Sequence, residues 1–546
     1  MKILKLIHTV KYLKFVQLYY RLHYLFLKPQ VKAYPSLVSL RSKSKLWNNI
    51  VFKPVSMHSP NSFNFLNHKG ELNKAEDWNN AQQEKLWLYN LHYFDDLNAE
   101  DALLRQAWHV QLMNKWIDEN PYPSGNGWEP YPNSLRIVNW IKWSLQGKPL
   151  DQAQLNSLAL QAEHLSKTVE WHILANHLFA NAKALIFAGL YFDTHESKKW
   201  LELGLKIYSK EIDEQVLDDG ANFELTPMYH AIFLEDLLDI YQVAQIYKKL
   251  DLIHAQHLQN KIVKMLNWLS LMSHPDGEIS FFNDATFGIA SCYEKLSKYA
   301  EKLGIAVSDS NLDDCYLKPS GYLVVQRPAY KFIMDVAEVG PSYQPGHAHA
   351  DTLSFELSIN DARFIVNSGI SQYGLGKERL LQRGTATHNT VEIDGQNSSE
   401  IWSGFRVARR VSPQVESIDQ KGNQIHELVA SYKSLKGVTH RRSVAFSEHK
   451  ISLIDQITGQ FHQAISYLYF HPDVQIQQVS SNEYQCKLAN TTVYLHLDGQ
   501  IDSQLLNTSW HPEFGKSIDN LCLKIFLKSG ECKTSITIMD VDAENV

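Results

Sequence analysis

The stretch 316–336, YLKPSGYLVVQRPAYKFIMDV, is where the chain changes its pattern. Two short runs rich in Val, Ile, Tyr and Phe are separated only by a Pro-containing break and carry no helical spacing, so each reads as a β-strand. Similar runs recur to the end: LSFELSI (353–359), RFIVNSG (363–369), NTVEIDG (389–395), RRSVAFS (441–447), KISLIDQI (450–457), TVYLHLDG (492–499) and SITIMDV (535–541). Gly, Asn and Asp punctuate them. Many short strands without intervening helices predict an antiparallel β-sandwich.

Before this stretch the pattern is helical. From about Trp78 to about Leu303, apolar residues recur three and four apart, as in 153–190, 196–212, 229–248 and 255–272. Short polar or Gly/Pro breaks separate the stretches, so hairpins of antiparallel helices are expected. No fixed-period repeat argues for a simple solenoid. Helices first and strands later predict a segregated α+β chain, divided into an arm (1–60), a helical domain (61–312) and a sandwich (313–546).

The arm, MKILKLIHTVKYLKFVQLYYRLHYLFLKP, is basic and apolar, and Lys11, Lys14 and Arg21 interrupt it before a long apolar run develops. It is a poor signal peptide. Its spacing suits either an amphipathic membrane-surface helix over 1–28 or an arm packed on the protein's own body, the latter favoured. The whole chain has 546 residues, enough for two large domains. Its formal charge of −6 gives no general attraction for nucleic acid. Five cysteines without CxxC spacing argue against a disulfide framework and against a thiol-ligated metal. Thirteen Trp and 26 Tyr supply flat rings that can stack on sugars, though most such rings are core.

Three clusters place titratable residues in apolar surroundings. In HILANHLFANAKAL (172–185), Asn176 and His177 interrupt an apolar helix; alone, such a pair is more often packing than chemistry. In DDGANFELTPMYHAIFLEDLL (218–238), a Gly-containing loop runs through Glu224 into a helix with Tyr229 near its start, where a phenol can face a cleft or begin a buried stripe. In PGHAHADTLSFEL (345–357), His347 and His349 at alternate positions point the same way, the geometry of metal ligands or of acid and base, with Asp351 beside them. His388 in RGTATHNTVEIDG (383–395) can complete a ligand set.

Taken in order, NHLFANAKAL, ELTPMYH, GHAHADTLSFEL, FIVNSG and THNTVEIDG resemble the heparinase II/III and related alginate lyase superfamily, over most of the chain from about residue 80. The resemblance implies a bacterial lyase of the cell envelope or periplasm, with an incomplete (α/α) toroid before the sandwich, cutting an acidic uronate-containing glycan by β-elimination. Without a clear export signal, a cytoplasmic or inner-membrane-associated location is the alternative. The resemblance makes Asn176, His177, Tyr229 and His347 catalytic: Asn176 donates to the uronate carboxylate with His177 helping, His347 is the base, and Tyr229 is the acid toward the leaving oxygen. Tyr229 in both roles is the variant for syn elimination. It also implies a structural zinc and no organic cofactor. His349 and His388 match the two imidazoles, Asn367 stands where a carboxylate is expected, and Asp351 is the alternative ligand or a partner fixing an imidazole tautomer; a hydrogen-bonded polar cluster without metal is the other reading. Trp128, Tyr131, Glu224, Tyr373 and Arg383 are candidate substrate-binding residues. Arg383 would pair with a carboxylate or sulfate, or instead form an internal salt bridge. A glycoside hydrolase using Glu224, Asp219 and Asp284 is the competing enzyme class. A non-catalytic glycan-binding protein of the envelope is the other alternative. The sequence leaves the oligomeric state open.

Overall fold

The computed structural model describes residues 2–27, 31, 38–307 and 313–539. The domain boundary expected at 312/313 and the last two residues of the SITIMDV strand lie outside the described residues.

Two helices, α1 (Lys2–Val10) and α2 (Phe15–Phe26), come first, then a small antiparallel sheet of β1 (Met57–Ser59), β2 (Ser62–Phe65) and β3 (His68–Glu71). Its register pairs Met57 with Phe63, so a division at 60/61 would cut a hydrogen-bonded hairpin. The first domain takes in strands as well as helices.

The helical body follows: α3 (Lys85–Tyr93), α4 (Gln106–Glu119), α5 (Pro130–Leu145), α6 (Gln152–Thr168), α7 (Ala175–Tyr191), α8 (His195–Gln215), α9 (Pro227–Ile246), α10 (Ala255–Leu271) and α11 (Tyr293–Lys302). Together they form the incomplete (α/α) toroid. Helix α7 packs on α5, α6, α8 and α9. Nearly all its side chains are buried, which its all-round apolar composition anticipates. The stretch 153–190 is therefore two helices. Residues 169–174 separate them without Gly or Pro, because the backbone turns into positive φ at Leu174 and Ala175.

The second domain begins with a five-stranded antiparallel sheet in sequential order: β4 (Cys315–Leu317), β5 (Tyr322–Arg327), β6 (Tyr330–Asp335), β7 (Phe355–Ile359) and β8 (Ala362–Ile365). Every residue of β6 and β7 is buried, as strands covered on both faces require. One short helix interrupts the strands, α12 (Lys377–Gln382). A four-stranded and an eight-stranded sheet complete the sandwich. Its core is one apolar cluster including Leu323, Phe332, Phe355, Val444 and Ile536.

A separate cluster joins the domains. Ala221, Leu225, Trp268 and Phe282 of the toroid pack against Tyr322, Val324 and Ile333 of the first sheet. The Tyr322 hydroxyl donates to the Leu225 carbonyl at 2.7 Å. Within the second domain, Gly369 of the NSG turn has φ +69°, and a Cβ there would lie 2.3 Å from the His511 carbonyl oxygen.

Candidate active site

Three toroid loops and two sandwich segments converge beside this joint. The loops lead into α7, into α9, and through 279–287 between α10 and α11. The segments are the turn between β6 and β7 and the region around α12. Each toroid loop carries a non-glycine residue in the left-handed region next to a polar side chain of the site: Ala175 (φ 54°) before Asn176, Leu225 (φ 58°) after Glu224, and Asn283 (φ 58°) before Asp284. Such strain persists where surrounding contacts over-determine the backbone. Here the inter-domain cluster and the Tyr322 bond hold Leu225, and the Asn283 amide donates to the Leu225 carbonyl at 2.8 Å.

The site has two layers. Partly exposed side chains line a cleft: Tyr131, Asn176, His177, Tyr229, His347 and Tyr373. Beneath them lie fully buried ones: Glu224, Asp284, His349, Arg379 and His388.

Asp284 organises the lower layer. One carboxylate oxygen accepts from His347 Nδ1 at 2.8 Å, the other from His349 Nε2 at 2.8 Å, and the Arg379 guanidinium clamps both. Its own backbone N–H donates to the His347 carbonyl at 3.0 Å. Burial opposes ionisation, but the guanidinium and the two imidazole donors hold the Asp284 pKa well below the usual carboxylate range. Both histidines thus point to one carboxylate from a turn rather than a strand, and they part there: His347 faces the cleft and His349 the interior. With Nδ1–H given to Asp284, the lone pair of His347 is at Nε2.

In the upper layer the Tyr229 ring stacks on the His347 ring, with centroids 3.9 Å apart, and its hydroxyl lies 3.0 Å from that of Tyr373. Thr226 caps α9 by accepting from the Tyr229 backbone N–H, which fixes where the phenol begins. Burial, reinforced by the Tyr373 and Tyr131 phenols, raises the Tyr229 pKa well above 10, so it keeps its proton at neutral pH. Glu224 accepts the Asn176 backbone N–H at 3.1 Å through Oε1. Its Oε2 is buried with no hydrogen-bond partner among the described residues, 3.6 Å from His347 Nε2. Burial raises the Glu224 pKa despite the nearby His347.

At the start of α7, His177 Nδ1 pairs with Glu170 at 3.0 Å and its ring lies 4.4 Å from that of Tyr131. Burial alone would lower the His177 pKa, but the Glu170 carboxylate outweighs it and raises the pKa, favouring an imidazolium. Nothing among the described residues hydrogen-bonds the Asn176 side-chain amide, which leaves it free for a ligand.

The structure corrects two expected assignments. Arg383 does not reach the cleft: it is fully buried, and its guanidinium donates to the carbonyls of Ala348, Ser403 and Gly404. Trp128 is buried too, its indole N–H bound to the Asn120 carbonyl. Asn367 is buried, its side-chain oxygen accepting from the Asn389 backbone and side-chain amides at 3.4 and 3.3 Å and its Nδ2 without a partner among the described residues. Two of the three carboxylates proposed for hydrolysis are also committed: Asp284 to its three partners, and Asp219 to the Ser320 backbone N–H and hydroxyl at 2.9 and 2.7 Å. Sequence reading gave Asp284 only a hydrolase role and did not single out Arg379 or Glu170, which stand in no motif.

Ligand atoms of His349, Asp351 and His388 lie within 4.8 Å of one another, all buried. His349 gives Nε2–H to Asp284, and His388 gives Nδ1–H to the Gly384 carbonyl at 2.6 Å. Two lone pairs therefore face each other, His349 Nδ1 and His388 Nε2, 3.1 Å apart. Asp351 is 3% exposed and accepts from the Asn283 N–H at 3.3 Å. Two opposed imidazole lone pairs and a buried carboxylate are donors that a divalent zinc-type cation satisfies, with Asp284 and Gly384 as outer partners.

Comparison with known proteins bears on what such a site belongs to. Residues 13–304 match the family described as Heparinase II/III N-terminus, and residues 311–536 that described as Heparinase II/III-like, C-terminal. A heparin-sulfate lyase of Bacteroides stercoris is 27% identical over 322 residues, 55% of this chain and 46% of that protein. One of Bacteroides thetaiotaomicron is 23% identical over 420 residues, 66% of this chain and 56% of that protein. The chain spans about half the length of these relatives. A crystal structure of heparinase III superposes with a TM-score of 0.67 at 17% identity, covering 88% of this chain and 80% of that one. The heparan sulfate lyase structure from Pedobacter heparinus gives 0.59 at 18%, covering 96% and 88%. These two likenesses bear on the fold.

Proposed function

The chain belongs to the heparinase II/III family, and from that membership and the cleft we propose that it is a polysaccharide lyase cutting an acidic, uronate-containing glycan of the cell envelope by β-elimination. The observation that carries the reading is the stacked pair of Tyr229 and His347, one side chain holding a proton and the other holding a lone pair, above a buried carboxylate. Elimination needs the C5 proton removed, the carboxylate charge offset as the enolate forms, and the departing glycosidic oxygen protonated. His347 Nε2 takes the proton. Asp284 stabilises the imidazolium that results. Tyr229 gives its proton to the leaving oxygen, and Tyr373 keeps a hydrogen bond to the phenol as it loses charge neutrality. The free Asn176 amide and the His177 imidazolium bind the uronate carboxylate, with Glu170 fixing His177. Tyr229 in both roles serves a substrate whose C5 hydrogen lies on its own face. Glu224 acts on position: its bond to the Asn176 backbone sets the first turn of α7.

The substrate follows from what the cleft offers. Arg379 and Arg383 are engaged inside the protein, with Asp284 and with backbone carbonyls. The groups that line the cleft itself, Asn176 and His177, suit the carboxylate of a uronate. A zinc held by His349, His388 and Asp351 would be structural, bracing through His349 the carboxylate that orients His347.

The test is ultraviolet absorbance of the unsaturated product on a panel of uronate polysaccharides, with Tyr229→Phe as control. Absorbance from wild type alone supports elimination. New reducing ends without absorbance overturn it in favour of hydrolysis.

A further inference from the structure

Residues 2–27 contain Lys2, Lys5, Lys11, Lys14 and Arg21 and no Asp or Glu. Helices α1 and α2 are amphipathic, and on their inner side polar contacts accompany Val16, which packs on the toroid core, and Tyr20, which stacks on Trp171. The polar stripe faces inward. From α1, Lys5 pairs with Glu400 at 3.7 Å and Thr9 accepts from the Trp402 indole at 3.0 Å. From α2, Gln17 is buried and donates to the carbonyls of Ile173 and Tyr343, and Tyr24 donates to the Val169 carbonyl at 2.7 Å. Lys14, between the helices, pairs with Glu214. The hairpin thus touches the sandwich through both helices and the toroid through α2.

The apolar stripe faces out. Ile3, Ile7 and Val10 lie on one side of α1, and Phe15, Leu22 and Phe26 on the matching side of α2. Ile3, Phe15 and Phe26 are 76%, 81% and 82% exposed. A contiguous face of this kind marks an interaction surface. Lys11 and Arg21 are exposed on the same hairpin, and partial burial, then the neighbouring Arg406, lower the Arg21 pKa. No described helix is long and apolar enough to cross a membrane.

We propose that this hairpin docks the protein flat on a membrane surface of anionic lipid, its apolar stripe among the acyl chains and Lys11, Arg21 and Arg406 among the headgroups. The charge decides between occupants. A two-fold contact with a second copy would set each cationic hairpin against itself, whereas anionic headgroups complement it. The loop 169–174, on which α2 rests, leads directly to Asn176 and His177, so docking holds the cleft close to the lipid surface. The inference stands whether or not the cleft is a lyase.

Flotation of the full chain with vesicles tests it, using phosphatidylcholine alone and phosphatidylcholine mixed with phosphatidylglycerol, at low and high salt. Wild type is expected to float with the anionic vesicles and to release at high salt. Phe15→Asp with Leu22→Asp should weaken binding at least tenfold with an unchanged melting curve, since both side chains are exposed. Lys11→Ala should weaken it about fivefold. Failure of wild type to float with anionic vesicles at low salt overturns the proposal. So does a lipid-free dimer that the double variant dissolves, because a second copy then covers the stripe.

Discussion

Replacing Asp284 with Asn removes one charge and no volume at the point where three partners meet. An amide offers one oxygen to donors that now occupy two, and its NH₂ must face either an imidazole or the guanidinium. Two consequences separate cleanly. Arg379 has no exposed surface and loses its only carboxylate partner among the described residues, and an uncompensated buried charge costs about 3–5 kcal/mol. His347 loses the acceptor that keeps its proton on Nδ1, so the tautomer with Nε2–H becomes favourable and cannot accept a proton from the substrate. Loss of the carboxylate that orients a catalytic imidazole lowers kcat by about 10³–10⁴-fold in comparable sites, or roughly 4–5 kcal/mol of barrier. KM should change little, because Asp284 lies beneath the cleft lining. Steady-state absorbance kinetics and urea denaturation read the two effects apart, and adding Arg379→Gln should restore part of the stability and none of the turnover. The folded pKa of Asp284 is depressed, so its stabilisation is present above the ordinary carboxylate pKa and is lost as pH falls through the folded value. The stability gap between wild type and Asp284→Asn should therefore be flat at neutral pH and narrow in acid. A folded Asp284→Asn enzyme with kcat within about threefold of wild type would refute the argument that His347 works through this carboxylate.

Three further outcomes are expected. His177 has a raised pKa, so its charge is present at lower pH and lost as pH rises through that value; KM for a uronate glycan should rise in alkali, and Glu170→Gln should move the inflection to lower pH. Elemental analysis should find one zinc per chain in wild type and none in His388→Ala, and chelation should lower the melting temperature of wild type only. Gly369→Ala combines a strained φ with a 2.3 Å approach to the His511 carbonyl and should cost about 2 kcal/mol or more in denaturant titrations; an unchanged midpoint would mean that the turn relaxes freely.

The helix-then-strand order was legible because periodicity is a local property, and the motif residues Asn176, Tyr229 and His347 stood out as polar interruptions of apolar runs. Asp284 was not legible as their organiser. It sits in an ordinary loop, and its meaning lies in contacts to residues 63, 65 and 95 positions away. Arg383 misled because a guanidinium fork suits backbone carbonyls as well as it suits a glycan carboxylate. Trp128 misled for a related reason, since a large ring reads the same on a cleft wall and in a core. The break at 169–174 was hidden because non-glycine residues at positive φ leave no trace in composition. The first two helices posed the reverse problem: their amphipathic spacing was plain, but only the polar contacts reveal which stripe faces inward.

Those contacts also bear on how the chain is made. Thr9 and its partner Trp402 are 393 residues apart in sequence, so at about 5–20 residues per second the ribosome takes roughly 20–80 s to deliver the second after the first. Throughout that interval the hairpin has an apolar stripe and no sandwich to hold it. A nascent chain in that condition is a client for a holding chaperone or for a lipid surface, and the order of synthesis brings it to either before the cleft exists.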